Sequence, residues 1–298
     1  MRLTVVLGEW LDRPIDADLD VAVMADRLGY PELWIGEMAK FDAPAIAATI
    51  VGRTAAIEPC LGPLAVTVRT PAQIALAAAT VAAGGRPCHV ALGTSSSVVA
   101  RWHGTSRAGA AARLASTTGH VRRLLDGERV DGFRLRQPPE ESTVTVAAFG
   151  EKAVAAAETA DRMVLNMVTV AAASDLAARH PRTAVWLAAA VDPTPEERRW
   201  MSLGYVGYLG AAGYSTMFEQ AGFGDLVAFA RTRPHPKELA ARLPDDLLDA
   251  VALAGSEVEV RARIADYERA GIAEIGLVVP PLDMPSGRRT LEALAPDR

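Results

Sequence analysis

Two carboxylates, Glu9 and Glu37, each follow a short apolar run, where an acid rarely serves packing. Either could orient a substrate or take a proton; the competing use is pairing with an arginine. His103 follows Trp102 shortly after a run of small residues, Gly93-Thr94-Ser95-Ser96-Ser97. A histidine there could donate a proton or clamp a substrate, although a lone histidine is more often a structural hydrogen-bonder. The hydroxyl run could bond a polar ring edge or a ribityl-type chain, or simply cap a helix. At Ala148-Phe149-Gly150-Glu151-Lys152 a strand pattern turns through glycine into a helix, and amides there suit a phosphate. Lys152 favours an anion; Glu151 opposes one unless it turns to solvent. An ordinary strand–helix turn has the same appearance. Trp10, Met38 and Trp102 could wall a pocket, as could Tyr205, Tyr208 and Tyr214, with packing as the alternative for each. No P-loop, HExxH, GxSxG or metal-ligand cluster occurs, which disfavours a metallohydrolase.

The elements that must hold these groups alternate. Strand-like runs fall at residues 3–7, 32–36, 61–66, 89–93, 143–148, 163–167, 184–191 and 275–279. Helical patterns at 16–28, 71–83, 108–125 and 256–270, and one starting near 151, lie between them, punctuated by Pro71, Gly29, Gly84 and Gly271. Eight alternations predict an α/β fold, a closed (β/α)8 TIM barrel, over residues 1–298 as a single domain. Residues 192–255 read as a helical insertion between the seventh and eighth strands, serving as a lid or a subunit contact. In such a barrel the active site lies at the carboxy-terminal strand ends.

Composition narrows the class. Half of the 298 residues are hydrophobic and 5% are aromatic, with a net charge of −5. That charge gives no reason to expect nucleic-acid binding. Cys60 and Cys88 stand in apolar runs without ligand spacing, so buried reduced thiols and a reducing cytoplasm are expected. The first apolar run breaks too early for a signal peptide, and no run reaches membrane-span length.

Four pieces carry a resemblance: LGYPELWIGEM, LGPLAVTVRTPAQIALAAATVAAGGRPCHVALGTSSS, VTVAAFGEKAVAAAETADRMVLN and LAGSEVEVRARIADYERAGIAEIGLVVP. In order and spacing the chain resembles the bacterial luciferase-like superfamily, and its deazaflavin (coenzyme F420) branch in particular. The resemblance implies a barrel that seats a flavin or deazaflavin ring across the strand ends. It implies a bulge with a non-prolyl cis peptide after the third strand, expected at Leu64–Ala65. Thr67, Gly93, Thr94, Ser95 and Ser96 would lie along the cofactor, and Ala148, Phe149, Gly150, Glu151 and Lys152 would hold its phosphate. Met38 stands where many relatives carry a histidine, and Ser96 where sugar-phosphate dehydrogenating relatives carry an acid. Glu37, His103 and Glu9 remain for proton handling. The function expected is hydride transfer between coenzyme F420 and an organic small-molecule substrate. An FMN-dependent monooxygenase fed by a partner flavin reductase is the alternative, followed by a non-catalytic flavin-binding barrel. The superfamily usually pairs, which implies a homodimer.

Overall fold

A computed structural model describes residues 1–8, 14–211 and 213–296. Among them are nine strands: β1 (Arg2–Leu7), β2 (Glu32–Ile35), β3 (Glu58–Ala65), β4 (His89–Gly93), β5 (Val144–Ala147), β6 (Arg162–Asn166), β7 (Thr183–Val191), β8 (Leu253–Gly255) and β9 (Glu274–Val278). The helices are α1 (Ile15–Leu28), α2 (Ala43–Val51), α3 (Pro71–Ala82), α4 (Ser97–Trp102), α5 (Ala110–Leu125), α6 (Glu151–Ala157), α7 (Val170–Ala177), α8 (Pro195–Leu203), α9 (Tyr214–Gln220), α10 (Gly224–Arg231), α11 (Pro236–Ala240), α12 (Asp245–Val251), α13 (Glu257–Arg269) and α14 (Pro285–Ala293).

β1 to β7 pair in sequence order, β7 pairs with β9, and β9 closes onto β1, every pair parallel. This is the closed eight-stranded barrel that the alternation predicts. β8 stands outside it and, among the described residues, pairs only with the end of β7, from Ala189 to Val191. The insertion is therefore not wholly helical: five helices, α8 to α12, lead into a short parallel strand.

Parallel strands covered by helices must be apolar on both faces, and these are. Outward residues such as Val5, Leu33, Val90 and Leu165 pack on the helices. Inward residues Val6, Trp34, Cys60, Ala91, Val164 and Trp186 fill the barrel. Gly276 makes room for this filling: a Cβ there would lie 2.7 Å from the Trp186 ring and 2.8 Å from Val6. Gly276→Ala should lower stability by about 1–3 kcal/mol, because the interior cannot expand around an added methyl. An unchanged urea midpoint would refute the tight fit.

Below the apolar layer, at the amino-terminal end, lies a buried ionic layer. Arg162 bonds Glu32 at 2.6 and 3.1 Å and Glu274 at 2.7 Å, and its guanidinium sits 4.1 Å from the Trp34 ring. Arg2 reaches both acids at 3.1 Å from the half-buried rim. Burial alone would push the Glu32 carboxyl up; the Arg162 guanidinium outweighs it and holds the group below the usual range.

The bulge expected in β3 is present, but its cis bond is not at Leu64–Ala65. The pairing with β4 slips between Leu61 and Leu64, and the cis peptide is Gly62–Pro63. The physical reason is the proline amide, whose trans preference is only about 0.5–1 kcal/mol. Gly62 has φ +108° and a Cβ on it would meet the Leu64 nitrogen at 2.2 Å, so only glycine fits.

At the same end, Asp26 on α1 holds the α2–β3 connection by accepting the amides of Ala55, Ala56 and Ile57 at 2.8 Å each. Burial raises this carboxyl, but the three amides and Arg86 outweigh it and lower it below the ordinary 3.8. A lowered folded value means that its stabilisation is present above the unfolded value and lost as pH falls through the folded one. Asp26→Asn should therefore flatten part of the acid limb of a stability–pH curve below about pH 4. An unaltered limb would count against the clamp.

Candidate active site at the barrel mouth

The inward alternation predicts what stands at the mouth. One step beyond Val6, Trp34, Ala91, Val164 and Trp186 come Gly8, Gly36, Gly93, Asn166 and Ala188. Four of the five are glycine or alanine, so their own side chains add little bulk at the carboxy-terminal strand ends. Two buried polar atoms in this upper barrel have no hydrogen-bond partner among the described residues: Thr67 Oγ1, just past β3, and Trp186 Nε1 on β7. Buried polar groups are rarely left unpaired, so these suit a ligand with polar edges.

Beside the mouth lies a cavity of about 760 Å³, lined by Thr94, Arg107, the start of α5 and Phe149 to Ala153. Gly109 precedes α5 and Gly150 precedes α6 as the N-cap residue, both with positive φ and neither with a side-chain cap. First-turn amides lack acceptors within their own helix. Arg107 donates to the Ser95 carbonyl at 2.6 Å and to Thr94 Oγ1 at 2.9 Å. Among the described residues no carboxylate neutralises Arg107 or Lys152. The Glu151 carboxylate is 81% exposed and turns to Arg179 at 3.3 Å. The arrangement is electropositive and suited to a phosphate.

The other residues singled out in the sequence spread around this centre. Glu9 and Trp10 lie outside the described residues. Both Glu37 oxygens meet Arg69, at 2.9 and 2.6 Å, and Oε2 also accepts the Ala43 amide at 3.2 Å. The arginine pairing weighed for Glu37 is thus present, and Arg69 also bridges to Asp42. Lys40 in the same connection bonds the buried Asp18 on α1. These ion pairs fix the β2–α2 connection and leave Met38 40% exposed. His103 closes α4 and is exposed, next to Trp102 at 57% exposure. Ser96 caps α4 by accepting the Val99 amide at 3.2 Å. Ser95 takes φ +55° to turn the chain from β4 into α4.

The insertion closes the β5–β6 side. Phe149 stacks on Tyr214 at 4.1 Å, and Tyr208 meets Tyr214 edge-on at 5.1 Å. Burial raises the pKa of both phenols. Tyr205 is fully buried, and its hydroxyl has no partner among the described residues. Arg107 is the residue that sequence reading missed. It stands in a polar loop with no motif around it, and only its return to Ser95 gives it a place.

The sequence profile of the luciferase-like monooxygenase family matches residues 7–274. The chain belongs to that family. It is accordingly an enzyme of the luciferase-like oxidoreductase superfamily. Among solved structures, this luciferase-like chain is similar to the coenzyme F420-dependent tetrahydromethanopterin reductase of Methanopyrus kandleri, with TM-score 0.81 and 13% identity over 99% of this chain and 97% of that one. It is similar to an F420-dependent secondary alcohol dehydrogenase bound to an F420–acetone adduct, with TM-score 0.75 and 15% identity over 99% and 97%. It is also similar to the FMN-bound oxygenating constituent of 3,6-diketocamphane monooxygenase from Pseudomonas putida, a type II Baeyer–Villiger enzyme, with TM-score 0.72 and 16% identity over 99% and 96%. No curated protein matches the sequence. No described helix is long and apolar enough to cross a membrane.

Proposed function

We propose that this luciferase-like enzyme moves a hydride between a deazaflavin of the coenzyme F420 type and a small organic substrate. The observation that carries the reading is the cavity beside the mouth, where Arg107, Lys152 and the first turn of α5 converge; among the described residues no carboxylate pairs with either cation, and Glu151 on the same lining turns to Arg179. A phosphate-bearing cofactor fits that chemistry, and the small inward residues at the strand ends next to it, Gly8, Gly36, Gly93 and Ala188, suit a flat ring. When bound, the deazaflavin supplies the redox chemistry. The chain's own residues do the rest. Arg107, Lys152 and the α5 amides hold the phosphate, with Thr94 and Ser95 along the connecting chain. Thr67 Oγ1 offers a hydrogen bond to the ring. The insertion's tyrosines keep water from the β5–β6 side. Glu37 with Arg69 fixes the β2 tip, and His103, Glu9 or Glu37 manages the proton. A homodimer is the expected assembly.

The FMN-dependent monooxygenase is retained as a second reading, since the same cavity would take the FMN phosphate and a relative of this fold binds FMN. Titration of the purified enzyme with F420 and with FMN, followed by cofactor fluorescence, tests both. Tighter F420 binding without oxygen consumption is the expected result. Tighter FMN binding with oxygen uptake on addition of a flavin reductase overturns it.

A further inference from the structure

Between β4 and α5 the chain makes a loop, residues 95–109, that the rest of the protein holds at few points. Of residues 96–109 only Val99 and Ala100, both on α4, are buried. Trp102 and His103 lie on its exposed part. The loop enters through Ser95 at φ +55° and leaves through Gly109 at φ +68°. Among the described residues, every hydrogen bond made by residues 96–106 stays within the loop. One side chain joins the two ends. Arg107 donates from Nε to the Ser95 carbonyl at 2.6 Å and from Nη2 to Thr94 Oγ1 at 2.9 Å, so the loop closes on itself.

Arg107 also lines the cavity beside the mouth, with Thr94 and Gly109. A guanidinium carries five N–H donors in one plane, and these two bonds use two of them. Among the described residues its side chain makes no other hydrogen bond or ion pair, which leaves both Nη1 donors for an anion. Such bonds are charge-assisted and roughly twice as strong as neutral ones. We propose that Arg107 is a tie through which a phosphate group in the cavity tightens the 95–109 loop and so fixes the stretch that carries Trp102 and His103. This inference rests on the phosphate reading in the proposed function. It makes the placement of His103, a proton-handling candidate, depend on the cofactor phosphate.

The loop carries its own reporter. Trypsin cuts after arginine, Arg101 is exposed, and cleavage of native chain requires local opening. The rate of the cut between Arg101 and Trp102 in the intact enzyme, read from the masses of the two fragments, therefore follows opening of the loop. The probes are inorganic phosphate, F420 and FMN, against sodium chloride at equal ionic strength. Calorimetry reports whether each binds. A bound probe should slow the cut about tenfold, the scale of one hydrogen bond to a charged group. Arg107→Gln, which keeps one donor and loses the charge, should abolish that slowing; slowing that persists in it overturns the proposal. Arg107→Ala, which loses both bonds, should be cut about tenfold faster than wild type with no anion present. If its thermal midpoint shows that it does not fold, Thr94→Val, which loses only the Oγ1 bond, is read instead and should also be cut faster. An unchanged rate in the variant that folds overturns the tie. Binding of a probe with the Arg101 cut unslowed overturns the proposal and leaves the proposed function standing. Slowing by FMN but not by F420 supports the tie and overturns the deazaflavin reading. Binding of no probe overturns both.

Discussion

Arg162→Met is expected to lower folding stability by about 3–5 kcal/mol, because it strips one partner from a buried ionic cluster. Glu32 and Glu274 are nearly inaccessible, and Arg162 makes three of their closest contacts. Arg2 would remain at 3.1 Å from each acid, but one half-buried guanidinium cannot replace the second charge. The measurement is a urea transition, with a lower midpoint at unchanged slope. Replacing Glu32 and Glu274 by glutamine together with Arg162→Met should recover most of the loss, since no buried carboxylate is then left short of a partner and Arg2 sits at the half-exposed rim, within reach of water. The lowered Glu32 carboxyl gives the wild type a matching pH response. Its share of stability is present above the usual glutamate range and is lost as pH falls through the folded value. If the single variant unfolds no earlier than wild type, the cluster holds nothing together.

Arg107→Gln is expected to weaken binding of the proposed phosphate-bearing cofactor by about ten- to a hundredfold, the scale of one charge-assisted hydrogen bond at about 1.5–3 kcal/mol. Glutamine keeps a donor for the Ser95 carbonyl, so the β4–α4 turn retains a partner while the charge goes. Lys152→Ala should have a smaller effect, since a flexible ammonium gives no forked bonds. Raising the salt should narrow the gap between wild type and Arg107→Gln. A dissociation constant that Arg107→Gln leaves unmoved would remove the cavity as the phosphate site.

The barrel was legible because its signal is local and repeated. β4 falls at 89–93, as its apolar run predicts. β3 begins three residues early, at Glu58, because Glu58-Pro59 reads as a break when no neighbouring strand is known. β8 is three residues long and exists only because β7 offers an edge to it. The short α4 was hidden in a run of hydroxyls that also reads as loop. The cis bond had a visible signal, Gly62-Pro63, which the expectation at Leu64–Ala65 passed over.

The site was less legible than the fold. Phe149 to Lys152 stand out through the strand–glycine–helix pattern, and they do line the cavity. Arg107 and Arg162 gave no local sign. Arg162 meets Glu32 across 130 residues and Glu274 across 112, and no periodicity encodes such a meeting. Arg69 pairs with Glu37 across 32 residues, so the arginine alternative could be named but its partner could not.

The two ends of the long excursion after β7 meet. The Asp192 amide donates to the Gly255 carbonyl at 2.7 Å, and Val191 sits opposite Gly255 in register. The excursion therefore leaves and re-enters the barrel at one spot, so its length is decoupled from barrel closure. Cutting there and splicing in the corresponding segment of another luciferase-like chain would exchange the whole excursion as a cassette, with the strand staves beneath it unmoved.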